Sequence, residues 1–179
     1  MPGGGKSTVG RHLARRLGLA FTDTDSVIEH RIHESIRSFF EREGEQAFRD
    51  VEQQVLAELC RSGQGVLATG GGIVLREANR NVLRDTTTVV YLRSTPEELF
   101  RRLRHDTQRP LLHVADPLSR LRQLHAERDP LYLQTAHFVI ETGRPSVPML
   151  VNMILMQLEL AGLVDPSAVP SPVTPPAAA

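Results

Sequence analysis

The chain has 179 residues, of which 40% are hydrophobic, and its 21 basic and 21 acidic residues give a formal net charge of zero. This composition predicts one globular domain, and without a basic excess it argues against a nucleic-acid or membrane-surface partner. A single cysteine, Cys60, excludes an internal disulfide. Because there is neither a run of about 20 apolar residues nor a signal segment, we expect a cytoplasmic protein.

The amino terminus carries a glycine-rich sequence, Gly3-Gly4-Gly5-Lys6-Ser7-Thr8. Glycines let the backbone turn tightly and bring its N–H groups against a phosphate. The lysine supplies a charge for the outer phosphates, and the hydroxyl can ligate Mg²⁺. A helix expected from Val9 to Leu17 would direct its positive end toward the anion. The sequence is most of a P-loop, whose first glycine and preceding strand would fall ahead of Met1.

Lys6 is the only lysine of the chain, the other twenty basic residues being arginine. GC-rich codon usage accounts for the arginines but not for the one lysine that remains. A compact ammonium group suits a phosphate cradle in a way that a planar guanidinium does not. The lysine therefore favours nucleotide-phosphate binding over a chance glycine-rich sequence.

The rest of the chain alternates short apolar runs with helical patterns. Predicted strands cover 19–23, 65–69, 88–93 and 137–142. The first predicted helix after the P-loop helix runs from a cap at Asp25 or Ser26 to about His33. The start signals Asp116-Pro117 and Asp129-Pro130 predict separate helices over about 117–127 and 130–135. Further helices are predicted over about 35–43, 45–61, 76–84, 96–106 and 147–161. This alternation predicts an α/β fold with a parallel sheet and helices on both faces.

Ligands of such sheets bind at the carboxyl ends of the strands. We therefore expect the P-loop, Asp23, Asp25 and the turn Gly70–Gly72 to meet in one cleft. The domain is predicted to cover residues 1–163. Residues 164–179 are rich in proline and alanine and are expected to form a disordered tail.

Asp23 and Asp25 follow the first predicted strand. In phosphoryl transfer, one acidic group holds Mg²⁺ and another orients the attacking hydroxyl. Alternation along an extended segment would place both carboxylates on the same side. For these two residues alone, a helix N-cap preceded by a turn aspartate is an equally good interpretation.

Several motifs in order resemble those of the shikimate kinase family. They are Thr22-Asp23-Thr24-Asp25, Phe39-Phe40-Glu41-x-Glu43-Gly44-Glu45-x-x-Phe48-Arg49, Gly70-Gly71-Gly72, Arg109-Pro110-Leu111-Leu112 and Glu127-Arg128-Asp129-Pro130-Leu131-Tyr132. The resemblance runs from Met1 to about Ala161. It implies a monomer with a three-layer P-loop kinase fold, a five-stranded parallel sheet and a mobile lid at about 107–117. The implied reaction converts ATP and shikimate to ADP and shikimate 3-phosphate, a step of aromatic amino-acid synthesis.

The resemblance also implies roles at the nucleotide end of the site. Lys6 resembles the lysine on the β- and γ-phosphates, with Gly3, Gly4, Gly5 and Thr8 completing the phosphate loop. Ser7 resembles the direct Mg²⁺ ligand, and Asp23 the acidic residue that holds Mg²⁺ through water. Arg109 looks like the lid arginine that closes on the phosphates. Arg102 looks like the residue against adenine, although Arg101 and Arg104 are alternatives.

At the substrate end, Asp25 is similar to the carboxylate that takes the hydroxyls of shikimate and helps to activate the attacking one. Arg49 and Arg128 look like the guanidinium groups that hold the substrate carboxylate, which a planar fork can bind with two hydrogen bonds. Gly71 and Gly72 resemble the turn that approaches the substrate ring. Each role has a plainer alternative, such as an Arg49–Glu52 pair on a helix surface.

The chain departs from the family pattern in lacking the strand ahead of the P-loop, which is central in this fold. Without it, two neighbouring strands lose their hydrogen bonds and a wide apolar surface. We expect the native protein to begin upstream, and a chain that starts at Met1 to fold poorly and turn over weakly. A sister kinase of a small polyol acid such as gluconate, or a non-catalytic nucleotide-binding module, are the alternative functions.

Overall fold

The computed structural model describes Met1, residues 3–103 and residues 116–165. The helices in these ranges are α1 (Lys6–Leu17), α2 (Thr24–Ile32), α3 (Ile36–Ser62), α4 (Glu77–Thr86), α5 (Pro96–Leu103), α6 (Pro117–Thr135) and α7 (Val147–Leu160). The strands are β1 (Phe21–Asp23), β2 (Val66–Ala68), β3 (Val90–Arg93) and β4 (Phe138–Glu141), and Ile73–Leu75 forms one turn of 3₁₀ helix. Most of the predicted lid, including Arg109, and the tail beyond Asp165 lie outside the described residues.

All strands pair in parallel, as predicted, but they do not form a single five-stranded sheet. In the part of the chain that the structure describes, β1 pairs with β2 and β3 pairs with β4, which gives two separate two-stranded sheets. In register, Thr22 lies opposite Leu67, and Tyr91 lies opposite Val139. The α/β class is confirmed, and within the described residues no strand joins the two pairs.

A cavity of about 470 Å³ separates the two strand pairs, and its walls include Leu67 of β2 together with Val90 and Leu92 of β3. The N–H of Val66 donates to the carbonyl of Ala20 across the first pair (2.8 Å). Since successive residues of a strand direct their backbone groups to opposite sides, the backbone groups of Leu67 face away from β1. β2 therefore turns an open edge toward the cavity.

β3 presents the same kind of edge from the other side. The carbonyl of Val89 accepts a hydrogen bond from the N–H of Phe138 (3.1 Å). The next residue, Val90, therefore directs its backbone groups away from β4, and Leu92 does the same. Neither edge is bonded to a third strand within residues 3–103 and 116–165.

Two helix boundaries differ from the predictions. α2 begins at Thr24, because the carboxylate of Asp23, and not of Asp25, accepts a capping hydrogen bond from the N–H of Asp25 (3.1 Å). α6 runs without a break through Pro130, so the two predicted helices are one. Asp129 does not start a new helix because its carboxylate is engaged by side chains of β3.

Other predictions for the helices are confirmed. α5 begins at Pro96 as expected. Gly44 interrupts the long helix α3 with φ 85° and ψ 175°, which is the predicted break between its two segments. Cys60 is buried, and burial raises the pKa of its thiol, as expected of a structural cysteine. None of the described helices is long and apolar enough to cross a membrane.

Three apolar clusters form the core. One lies around α4, α5 and α6 and includes Leu99 and Leu121. A second joins α1 and α7 to β3 and β4. The third is small and lies between α2 and α3, where Ile28, Phe48 and Val55 are buried. The third cluster sets α3, and with it Arg49, beside the carboxyl end of β1.

Candidate active site

The P-loop leads directly into α1. Gly5 caps the helix with φ 75°, a left-handed conformation that only glycine adopts without strain. Its carbonyl accepts the first helical hydrogen bond, from the N–H of Val9 (2.9 Å). The free N–H groups of the first turn point to the space in front of the loop, as in other anion sites at helix starts. The ammonium of Lys6 donates to the carbonyl of Met1 (2.7 Å).

Ser7 and Asp23 form a pair of oxygen ligands. The hydroxyl of Ser7 donates to Oδ2 of Asp23 (2.6 Å). Hydroxyl and carboxylate oxygens are the ligands that Mg²⁺ prefers, so the donor set suits this ion. Asp25 lies beside this pair as predicted, but it belongs to the first turn of α2 and not to an extended segment.

These groups line one cavity of about 230 Å³. Its walls are formed by Gly3, Gly4, Gly5, Lys6, Ser7, Thr8, Asp23, Asp25, Thr69 and Gly70. The structure therefore brings together the P-loop, the aspartate pair and the start of the glycine turn, as expected from the carboxyl ends of neighbouring strands.

The glycine turn touches the remaining side chains of the site. A Cβ built on Gly70 would lie 2.8 Å from Oδ1 of Asp25, and one on Gly72 would collide with the guanidinium of Arg49. The carbonyl of Gly71 accepts hydrogen bonds from Nη1 of Arg128 (3.2 Å) and from the hydroxyl of a tyrosine in α6. Both arginines proposed for the substrate carboxylate therefore lie against this turn.

Arg49 is held in place by a buried partner. Its Nη1 contacts Oε2 of Glu52 at 2.7 Å, and the exposed fractions of the two side chains are 12% and 2%. The expected pair is present, but it is buried and does not lie on a helix surface. Burial raises the pKa of Glu52, although the charge of Arg49 opposes this rise. The guanidinium also packs over the ring of Phe48, with 5.2 Å to the centroid.

The amino group of Met1 lies against α6. The ammonium of Met1 donates to the hydroxyl of Tyr132 (3.0 Å). Its pKa is lowered well below 8.0 by burial, and also by the charges of Lys6 and Arg128. Burial raises the pKa of Tyr132 to about 12. Lys6 lies in the wall of the cavity, and the guanidinium groups of Arg49 and Arg128 lie against the adjoining glycine turn, which favours an anionic ligand.

Arg102 lies outside this cavity. Its Nη1 contacts the hydroxyl of Ser94 at 3.3 Å, and its Nη2 donates to the carbonyl of Thr142. It is nevertheless near the P-loop, because a Cβ on Gly3 would overlap the adjacent Leu103. Arg109, the other nucleotide-binding arginine expected from the sequence, lies outside the described residues.

Sequence reasoning assigned no role to two residues of the site. Glu52 is signalled by its spacing of three from Arg49 on the same helix. Tyr132 stands in the last quoted motif, so its position is flagged without a function.

Comparison with known proteins agrees with this geometry. The family model described as "Shikimate kinase" matches residues 2–159. The chain belongs to the shikimate kinase family. It is 61% identical over 170 residues to the shikimate kinase of Paracidovorax citrulli (strain AAC00-1), with 93% of each chain covered. It is 55% identical over 172 residues to that of Ralstonia nicotianae, covering 96% of this chain and 90% of the relative.

A solved structure of the shikimate kinase family agrees as well. The shikimate kinase from Acinetobacter baumannii in complex with shikimate has a TM-score of 0.83 and 44% sequence identity to this chain, covering 91% of this chain and 90% of that one. The P-loop kinase fold predicted from the resemblance is therefore confirmed. The roles of the individual site residues stay predictions.

Proposed function

We propose that the chain transfers the γ-phosphoryl group of ATP to the 3-hydroxyl of shikimate and so belongs to aromatic amino-acid biosynthesis. The observation that carries this proposal is a single cavity that joins a P-loop, the Ser7–Asp23 oxygen pair and the carboxylate of Asp25. The phosphate-binding and hydroxyl-binding groups are thus within reach of one another. Membership of the shikimate kinase family supports the choice of substrate.

The phosphate end of the site positions and neutralises the transferred group. The N–H groups of the loop and the ammonium of Lys6 bind the β- and γ-phosphates. Ser7 would hold Mg²⁺ directly and Asp23 would hold it through water. When bound, this ion neutralises phosphate charge as the transferred group moves.

At the other end, Asp25 orients the attacking hydroxyl. The oxygen of this substrate hydroxyl forms a bond to the γ-phosphorus, and the bond from that phosphorus to the bridging oxygen of ADP breaks. The proton of the hydroxyl passes to the carboxylate of Asp25. Arg49 and Arg128 bind the substrate carboxylate through paired hydrogen bonds. Gly71 and Gly72 approach the substrate ring, and the missing side chain of Gly72 lets the guanidinium of Arg49 lie against the turn.

Two further arginines complete the nucleotide site in this proposal. Arg102 packs against adenine, and Arg109 closes over the phosphates. A monomeric state and a cytoplasmic location stay predictions.

The test is ADP release with shikimate, ATP and Mg²⁺. We expect Lys6→Ala and Asp25→Asn to lower kcat by at least about a hundredfold, as for the loss of a charge-stabilising or proton-accepting group. The control Asp85→Asn changes the same type of side chain at an exposed position of α4 and should retain activity.

Other outcomes would contradict the proposal. Turnover with gluconate and not with shikimate would indicate the sister kinase. A folded protein that binds ADP but phosphorylates neither compound would indicate a nucleotide-binding module.

A further inference from the structure

Asp129 is a buried carboxylate to which the proposed function gives no role. It lies in the middle of α6, next to Arg128, and its side chain is 11% exposed. Its oxygens accept hydrogen bonds from the end of β3: the hydroxyl of Tyr91 donates to Oδ1 (2.9 Å). From Arg93, Nε donates to Oδ1 (3.0 Å) and Nη2 donates to Oδ2 (2.8 Å). A two-pronged contact of this kind fixes orientation as well as distance.

The same turn of α6 is tied to the substrate end of the site by a second set of contacts. The rings of Tyr91 and Tyr132 stack with 4.7 Å between their centroids. Tyr132 and Arg128 both donate to the carbonyl of Gly71. The turn is thus held between β3 on one side and the glycine turn on the other.

The charges in this cluster keep Asp129 ionised. Burial alone would raise the pKa of Asp129, but the hydrogen bonds from Arg93 and Tyr91 and the nearby His125 hold it below its ordinary value. Nε2 of His125 lies 3.7 Å from Oδ1, one helical turn earlier. Burial and then the hydrogen bond to Asp129 raise the pKa of Tyr91, so the tyrosine remains a donor.

We propose that Asp129 is a positioning residue, which fixes the turn of α6 so that Arg128 is aimed at the substrate carboxylate. This inference rests on the proposed function, in which Arg128 binds that carboxylate. Loss of the contact to β3 would let the turn rotate and move the guanidinium away from Gly71. Because the phosphate loop leads into α1, we expect a larger effect on binding of the carboxylated substrate than on binding of ATP.

The first test compares steady-state kinetics of Asp129→Asn with the wild type. We expect the KM for shikimate to rise about tenfold, a typical effect for residues in one hydrogen-bonded network, while kcat and the KM for ATP stay within about twofold. Arg93 keeps Glu141 as a partner at 3.4 Å, so the variant leaves no isolated charge. Tyr91→Phe removes one hydrogen bond only and should give a smaller rise. Glu127 is exposed on the same turn of α6, and the control Glu127→Gln should leave the KM for shikimate unchanged.

The second test separates positioning from a structural role. In an Arg128→Lys background, Asp129→Asn should raise the KM for shikimate little further, because the residue acts through Arg128. Independent effects that add, or an equal rise in the KM for ATP, would overturn the inference, as would an unchanged KM in the single variant. Calorimetric titration with shikimate distinguishes the two proposals. A wild type that does not bind shikimate overturns both, whereas binding that Asp129→Asn leaves unchanged overturns only this one.

Discussion

At the scale of single residues, the site concentrates charges that burial disfavours. Glu52 is 2% exposed and carries a carboxylate between Arg49 and the charge of Asp25. Burial, with a smaller contribution from Asp25, raises the pKa of Glu52 above the ordinary 4.5, and Arg49 only partly offsets this. Holding Arg49 against Gly72 therefore has a cost in the free energy of folding that depends on pH.

The variant Glu52→Gln tests this cost. The folded state binds the Glu52 proton more tightly than the unfolded state, so its contribution to stability is complete below the unfolded pKa and is lost as the pH rises through the folded pKa. We expect the melting temperature of the variant, relative to the wild type, to increase as the pH rises from about 4.5. Melting curves at a series of pH values measure this difference.

A matched control lies in the same helix. Glu58 is exposed, and the hydrogen bond from Arg31 lowers its pKa. Its contribution to stability is present above the unfolded pKa and is lost as the pH falls through the folded pKa. Glu58→Gln should therefore give a pH dependence of the opposite sign. The same slope in both variants would contradict the role of burial.

At the scale of elements, the break in α3 decides where Arg49 lies. Gly44 has φ 85° and ψ 175°, a conformation that is almost restricted to glycine. A Cβ there meets no atom within 4 Å, so a substitution acts through the backbone alone. The break turns residues 36–43 away from the segment that carries Arg49.

We expect Gly44→Ala to lower the free energy of unfolding by about 1–3 kcal/mol and to raise the KM for shikimate, because relief of the strain would straighten α3 and shift Arg49. Denaturant unfolding and steady-state kinetics measure the two effects. The control Gln46→Ala is exposed in the same helix and should change the stability by less than about 0.5 kcal/mol. A Gly44 variant as stable and active as the control would contradict the assignment.

Local patterns predict most of these elements. Short apolar runs identify the four strands, and capping residues locate helix starts such as Pro96. The Asp129-Pro130 pair is misleading, because a capping signal is local while the partners of its carboxylate lie 36 and 38 residues away. The P-loop is one continuous stretch of sequence and can therefore be predicted from it. The contact of Arg49 with Gly72 joins segments that are far apart in the sequence. Only the resemblance to a family indicates such contacts.

At the scale of the whole molecule, the cavity between the strand pairs is expected to lower the thermal stability. A segment of five β-branched apolar residues, ending in glycine and joined to the amino group of Met1, should lie between β2 and β3 and pair with both edges. It would also convert the buried amino group of Met1 to an amide. We expect the melting temperature to rise by ~10 °C or more, since burying two or more apolar side chains contributes at least ~3 kcal/mol.

A glycine-serine segment of equal length is the control. It converts the amino group of Met1 to an amide as well, but it has no apolar side chains to bury. The melting temperature should therefore rise much less. Equal shifts for the two segments would attribute the gain to the loss of the buried amino group and would contradict pairing in the cavity.

The division of the sheet has a consequence for how the nucleotide acts on the protein. The second core cluster joins α7 to β3 and β4, and the third lies between α2 and α3 on the β1–β2 side. The first cluster connects the two sides, because it includes Leu56 of α3 and Tyr91 of β3. The P-loop spans the division, because Gly4 approaches Leu92 of β3 and Ser7 bonds to Asp23 of β1. A bound nucleotide would therefore add a second connection between the two sides and strengthen their cooperative unfolding.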